Sequence, residues 1–135
     1  MKRLDLFENR IKILNPDSFD GLKNLKLLSL NSNEISSLPA KVFAPLKNLK
    51  ELSLSHNKLI IIHSDSFGVH AYLAKVWLQN NKINAIDEKV FDNSPAFHVC
   101  MKNNICSQGM DKDLKKCFNN YHPRDSRKIC EKLAK

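Results

Sequence analysis

Asparagine recurs at a fixed spacing through most of this chain, and that spacing constrains the fold more than any other feature. Asn9, Asn33, Asn57, Asn81 and Asn104 are separated by 24, 24, 24 and 23 residues. Each closes a stretch of the same form: LDLFENRI, LSLNSNEI, LSLSHNKL, VWLQNNKI and VCMKNNIC. Two apolar residues flank one spacer, two more spacers follow, and then comes the asparagine. A period in this range marks a solenoid, in which each coil buries its apolar face against the next.

Alternate residues of a strand point to one side. Leu4 and Leu6, Leu28 and Leu30, Leu52 and Leu54, and Val76 and Leu78 are therefore expected to point into one core. Identical units side by side make a parallel sheet. After each strand the chain turns, and buried backbone groups there need partners. An Asn side chain carries both an acceptor and donors, so the five stacked asparagines form a structural ladder that can satisfy their own coil and its neighbour. Chance repetition is a poor rival, because other columns run in step. Phe19, Phe43, Phe67 and Phe91 are spaced by 24, as are Leu14, Leu38, Ile62 and Ile86.

These motifs resemble the leucine-rich repeat family with typical 24-residue repeats, LxxLxLxxNxIxxIxxxxFxxLxx. The resemblance covers residues 1–106, and residues 107–135 resemble the cysteine-bearing C-terminal cap of secreted and receptor-ectodomain arthropod members. It implies an α/β solenoid: a right-handed superhelix with a curved parallel sheet on its concave face and a short helical disulfide cap. It also implies protein recognition outside the cell, in innate immunity, receptor signalling or adhesion. Architecture defines this family, so the ligand does not follow from it.

Four full repeats span 1–24, 25–48, 49–72 and 73–95, and a degenerate fifth begins at Ala96. Starting the fifth at Phe97 would place Lys102 in the core, and burying an unpaired lysine is costly. Starting at Ala96 places Val99 and Met101 inside. The segments between strands should be turns with short helical or 3₁₀ pieces, since Pro16, Pro39 and Pro45 discourage long helices. His70 takes the place of Leu22 and Leu46 and is expected to be a partly exposed packing variant. In the cap, Leu114, Cys117, Phe118 and Tyr121 have helical spacing, with Asp111 as N-cap. Ile129, Cys130 and Leu133 suggest a second short helix.

All four cysteines fall late: Cys100, Cys106, Cys117 and Cys130. No close CxxC pair suggests a metal, and an even number in a short region suggests a disulfide-stapled cap from an oxidising compartment. Three pairings are open. The favoured one joins Cys106 to Cys130 and Cys100 to Cys117, and four reduced intracellular cysteines are the rival. Met1 already lies inside a repeat, and no apolar run of signal length precedes it. The chain is thus expected to be a piece of a longer extracellular or secreted protein. No stretch has the length and apolarity of a transmembrane helix.

Formal charge is +8. Residues 96–135 hold nine Lys/Arg against four Asp/Glu, and residues 1–95 hold thirteen against ten. That favours acidic partners. Nucleic acid is not expected, because the aromatics keep core spacing. Lys2, Lys26 and Lys50 line the leading edge of the sheet, with Lys23 and Lys47 just before it. They could form a basic rim for an acidic protein or a sulfated glycan, although such a row is more often a solvated face.

Outward positions of the concave sheet form three columns: Asp5, Ser29, Ser53, Trp77 and Cys100; Phe7, Asn31, Ser55, Gln79 and Lys102; Glu8, Ser32, His56, Asn80 and Asn103. The expected partner-binding residues are Asp5, Phe7, Asn31, Ser53, Ser55, His56, Trp77 and Gln79. Trp77 is the sole tryptophan and reads as a binding anchor. Alternatively it packs on Cys100 and Phe97 as local cover. No enzyme is expected. Ser53, Ser55, His56 and Asp65 invite a triad, but Ser55 and His56 share one strand and Asp65 belongs on the convex side. No metal, cofactor or phosphate loop is indicated. Rival readings are self-assembly into a homo-oligomer through the sheet or N-terminal edge, and an enzyme-associated domain.

Overall fold

The computed structural model describes residues 1–63, 65–86, 98–101, 103–104 and 117–119, with 86, 98 and 117–119 described by backbone alone. Five three-residue strands carry the repeat. They are β1 (Arg3–Asp5), β2 (Leu27–Ser29), β3 (Glu51–Ser53), β5 (Lys75–Trp77) and β7 (His98–Cys100). They stack in parallel in that order, so that Leu4, Leu28, Leu52, Val76 and Val99 align. The alignment follows from the period: equal coils return each LxL to the same height, and a slip of one residue would turn the apolar set outward.

The core lies behind the strands. Leu28, Leu30, Leu52, Leu54, Val76 and Leu78 are fully buried, and Leu4 and Leu6 partly so. Val99, Met101 and Asn104 are buried too, so the fifth coil runs in the register that starts at Ala96. Deeper in the first three coils, Phe19, Phe43 and Phe67 form a stack with ring centroids 5.7 and 5.9 Å apart. Offset stacking of this kind adds to the area each ring buries.

Between strands the chain crosses back through successive turns. Leu22 N–H donates to Phe19 O at 3.2 Å and Leu25 N–H to Leu22 O at 3.1 Å, and the second coil repeats this at Leu46 and Leu49. Turns with short helical or 3₁₀ pieces were expected here. Among the described residues these segments are turns, without the helical pieces. A second, unexpected pairing lies beyond the asparagine turn, where β4 (Ile61–Ile62) runs parallel to β6 (Ala85–Ile86). The β-branched run Ile60–Ile61–Ile62 favours extended backbone.

Two further expectations are corrected. Cys117–Asn119, placed above on a helix, is a strand, β8, antiparallel to β7 with Cys117 opposite Cys100. The remainder of the expected cap, Asp111, Cys106 and Cys130 included, lies outside the described residues. His70 is buried, not partly exposed. The period carries it into the Leu22 and Leu46 column, and its Nε2 hydrogen-bonds the Phe67 carbonyl. Burial pushes its pKa down, against the opposing pull of the Phe67 and Leu46 backbone, and the Lys47 charge adds to the depression. Desolvation wins because the imidazolium gives up more hydration than two backbone groups return.

Candidate functional site: the concave face

The concave face is organised by the turn that ends each strand. The residue before each ladder asparagine has a left-handed backbone: Glu8, Ser32, His56, Asn80 and Asn103 have φ of 58, 56, 56, 58 and 60°. This conformation is costly for most L-residues and least so for Asn. The turn passes the next N–H groups to a neighbouring coil. Ser32 N–H donates to Ser55 O and His56 N–H to Gln79 O, each at 3.0 Å.

The asparagines sit inside that turn. Asn57 Nδ2 donates to Leu54 O at 3.0 Å in its own coil and to Leu30 O at 2.9 Å in the coil before, while its Oδ1 accepts from Ile35 N–H at 3.1 Å. Asn33 makes the same contacts with Leu30 O, Leu6 O and Ile11 N–H, and its Oδ1 also accepts from Asn9 N–H. Asn81 reaches Leu78 O, Leu54 O and Leu59 N–H. Asn104 reaches Met101 O, Leu78 O and Ile83 N–H. Asn33, Asn57, Asn81 and Asn104 are buried, whereas Asn9 is exposed and donates to Phe7 O.

In front of this frame lies a shallow concavity of about 260 Å³, lined by Arg3, Leu27, Leu28, Ser29, Asn31, Glu51, Ser53, Ser55, Trp77 and Gln79. Trp77 is half-buried, and its Nε1–H donates to Glu51 Oε1 at 2.9 Å. Asn31 Oδ1 accepts from Ser55 N–H at 3.2 Å, from Ser55 Oγ at 2.9 Å and from Ser53 Oγ. Farther out, Asn103 Nδ2 donates to Asn80 Oδ1 at 2.7 Å and Asn80 Nδ2 lies 3.2 Å from His56 Nε2. Polar side chains thus span from coil to coil, and their order is set by hydrogen bonds made before any partner arrives.

The expected binding residues divide accordingly. Asn31, Ser53, Ser55, Trp77 and Gln79 share the concavity. Asp5, Phe7 and His56 are exposed and lie outside its lining. Ser55, read as outward-facing, is only 4% exposed, because the Asn31 amide of the preceding coil closes over it. Ser29 and Cys100 are also buried rather than open. Sequence reasoning missed Glu51, whose position next to an inward leucine marks it as outward-facing. The nearest approach to a catalytic constellation does not assemble among the described residues: both serine hydroxyls go to Asn31 and His56 goes to Asn80. The Asp65 backbone carbonyl accepts from Lys41 N–H at 2.9 Å, in a turn away from the strands.

Cys100 is disulfide-bonded, and its backbone stands opposite Cys117 across β7 and β8. Among the described residues no group of His, Cys, Asp and Glu could hold a metal, and no helix is long and apolar enough to cross a membrane.

The family model for leucine rich repeat matches residues 1–35 and 23–69, together 69 of the 135 residues. The chain belongs to the leucine-rich repeat family. Two solved structures agree with this fold. The Toll–Spatzle complex, a molecular hub in Drosophila development and innate immunity, matches with a TM-score of 0.68 and 28% identity, over 76% of this chain and 14% of that one. The leucine-rich repeat domain of APL1B matches with a TM-score of 0.61 and 23% identity, over 76% of this chain and 38% of that one. The chain therefore spans well under half the length of either leucine-rich repeat neighbour. No curated protein matches it in sequence.

Proposed function

We propose that this leucine-rich repeat chain is an extracellular protein-recognition module, engaging a protein partner through the concave face. The observation that carries the proposal is the concavity around Trp77. A half-buried tryptophan, held by Glu51 and ringed by Asn31, Ser53 and Gln79, offers a fixed aromatic anchor within a polar surface. Anchors of this kind dominate interface energetics, and pre-ordered neighbours lower the entropy lost on binding. The Toll–Spatzle complex, itself a protein–protein assembly, supports a protein ligand and a setting in innate immunity or receptor signalling. The disulfide at Cys100 supports an oxidising, extracellular location. We assign its partner as Cys117 on the strength of their register. No catalytic role is proposed.

The experiment is photo-crosslinking from the concave face. A photoreactive residue at Ser53 or Gln79 should capture a protein from extracellular fluid. One at Asp20, on the convex side, should not. Trp77→Ala should weaken recovery of the same partner by at least about 2 kcal/mol, the scale of a central aromatic anchor. Capture from Asp20 alone, or recovery unchanged by Trp77→Ala, overturns the concave-face assignment. Self-association is the competing outcome, and sedimentation of the free chain detects it directly.

A further inference from the structure

We propose a second binding site, for a sulfated oligosaccharide, on the edge of the solenoid where the strands begin. Lys26, Lys50, Asn48 and Tyr72 line a pocket of about 240 Å³ there, apart from the concavity around Trp77. The backbone sets the two lysines in register. Lys26 N–H donates to Lys2 O and Lys50 N–H to Lys26 O, each at 2.8 Å, so Lys2, Lys26 and Lys50 mount the same edge one coil apart. Neighbouring strands lie about 4.8 Å apart, and like charges directly opposite each other destabilise a sheet. Among the described residues no carboxylate lies within ion-pair distance of them, the ion pairs there being Arg3–Asp5 and Lys58–Glu34. Exposed Lys23 and Lys47 add positive charge on the preceding turns. An anion with charges at sugar-substituent spacing relieves this repulsion.

The other two residues point to a sugar as the carrier of that charge. Asn48 Nδ2 donates to the Lys23 carbonyl at 2.7 Å, which fixes the amide and leaves its second hydrogen for a hydroxyl. Tyr72 is 56% exposed, a large aromatic surface left open to solvent beside two cations. A ring face for a pyranose, an amide for a hydroxyl and two ammonium groups for sulfate make one complementary set. An acidic peptide would use only the lysines. The volume also suits a single sugar ring, since pockets for drug-sized ligands begin at about 300 Å³.

The test is calorimetric titration of a heparin-derived hexasaccharide into the 135-residue chain at physiological salt, with amide spectra of each variant confirming its fold. Lys26→Gln with Lys50→Gln should raise Kd at least about tenfold, the scale of two lost charge-assisted contacts. Tyr72→Ala, which leaves the charge unchanged, should raise it about threefold or more through lost ring contact. Lys12→Gln with Lys82→Gln, exposed residues beyond the asparagine turn, removes the same charge and should change Kd less than about twofold, since neither residue lines the pocket and exposed charges couple weakly through salt solution. Equal weakening by the two lysine pairs would reduce the interaction to net charge and overturn the site. So would indifference to Tyr72→Ala, equal binding of the desulfated hexasaccharide, tighter binding of a polyglutamate peptide, or no saturable binding.

Discussion

On the strand side, neighbouring coils are joined by Asn33, Asn57, Asn81 and Asn104; on the convex side, by Phe19, Phe43 and Phe67. The asparagines work through directed contacts, each tying its own turn to the coil before. The phenylalanines work through area, as rings stacked 5.7 and 5.9 Å apart. Hydrogen bonds fix register and tolerate no substitute that lacks both donor and acceptor. Stacked rings contribute more free energy and specify less. Because the two columns carry the fold between them, the outward columns are left to vary. Asp5, Ser29, Ser53 and Trp77 share one position and little chemistry.

The sharpest break between the columns is Phe43→Ala, which empties the middle of the ring stack. It should cost about 3–5 kcal/mol in denaturant titration. Phe7, 52% exposed, should cost less than about 1 kcal/mol when truncated, as surface changes do. Equal losses would place both rings in the same environment. Asn57→Ala comes next, at roughly 1–3 kcal/mol for the buried backbone groups it leaves unpaired. Asn31→Ala sharpens the comparison, because its position on an outward column suggests neutrality. The structure gives its Oδ1 two serines of the next coil, so a loss of about 1 kcal/mol is expected.

Buried His70 tests the convex side differently. The fold holds it neutral where the unfolded chain would protonate it, so its folded pKa lies below 6.5. Stability should be complete above that pH, decline as pH falls below it toward the folded value, and then level off. His70→Leu, restoring the side chain found at Leu22 and Leu46, should flatten this part of the profile of melting temperature against pH. An unchanged slope would assign the pH dependence elsewhere. The smallest effect belongs to the turn: Ser32→Asn should stabilise by roughly 0.5 kcal/mol, because Asn accepts the left-handed backbone more readily. A lower melting temperature would mean that the turn selects for something besides conformation.

These cases also mark how far the sequence could be read. Inward positions were legible because burial repeats with the coil, and even His70 was placed by its column. Its burial was not legible, because a histidine in a leucine column suggests a looser corner, whereas the Phe67 carbonyl gives the ring a partner inside. The outward columns were less legible, since exposure there depends on neighbours one coil away. Ser55 is covered by Asn31, and Trp77 is turned to Glu51; both are contacts between coils that carry no period. The left-handed turn left a faint signal in His56, Asn80 and Asn103, residue types enriched in that conformation, and none in Glu8 and Ser32, which adopt it without being typical of it. Strand β8 was hidden by a three-residue apolar spacing that fits a helix as well.

The most direct measurement is hydrogen–deuterium exchange of the chain with and without the protein captured by the crosslinks. Added protection is expected in residues 51–56 and 75–80, which carry Glu51, Ser53, Trp77 and Gln79. Residues 15–25 and 39–49 on the convex side should exchange unchanged. Protection confined to the convex turns, with the concave strands unaffected, would contradict the concave-face assignment.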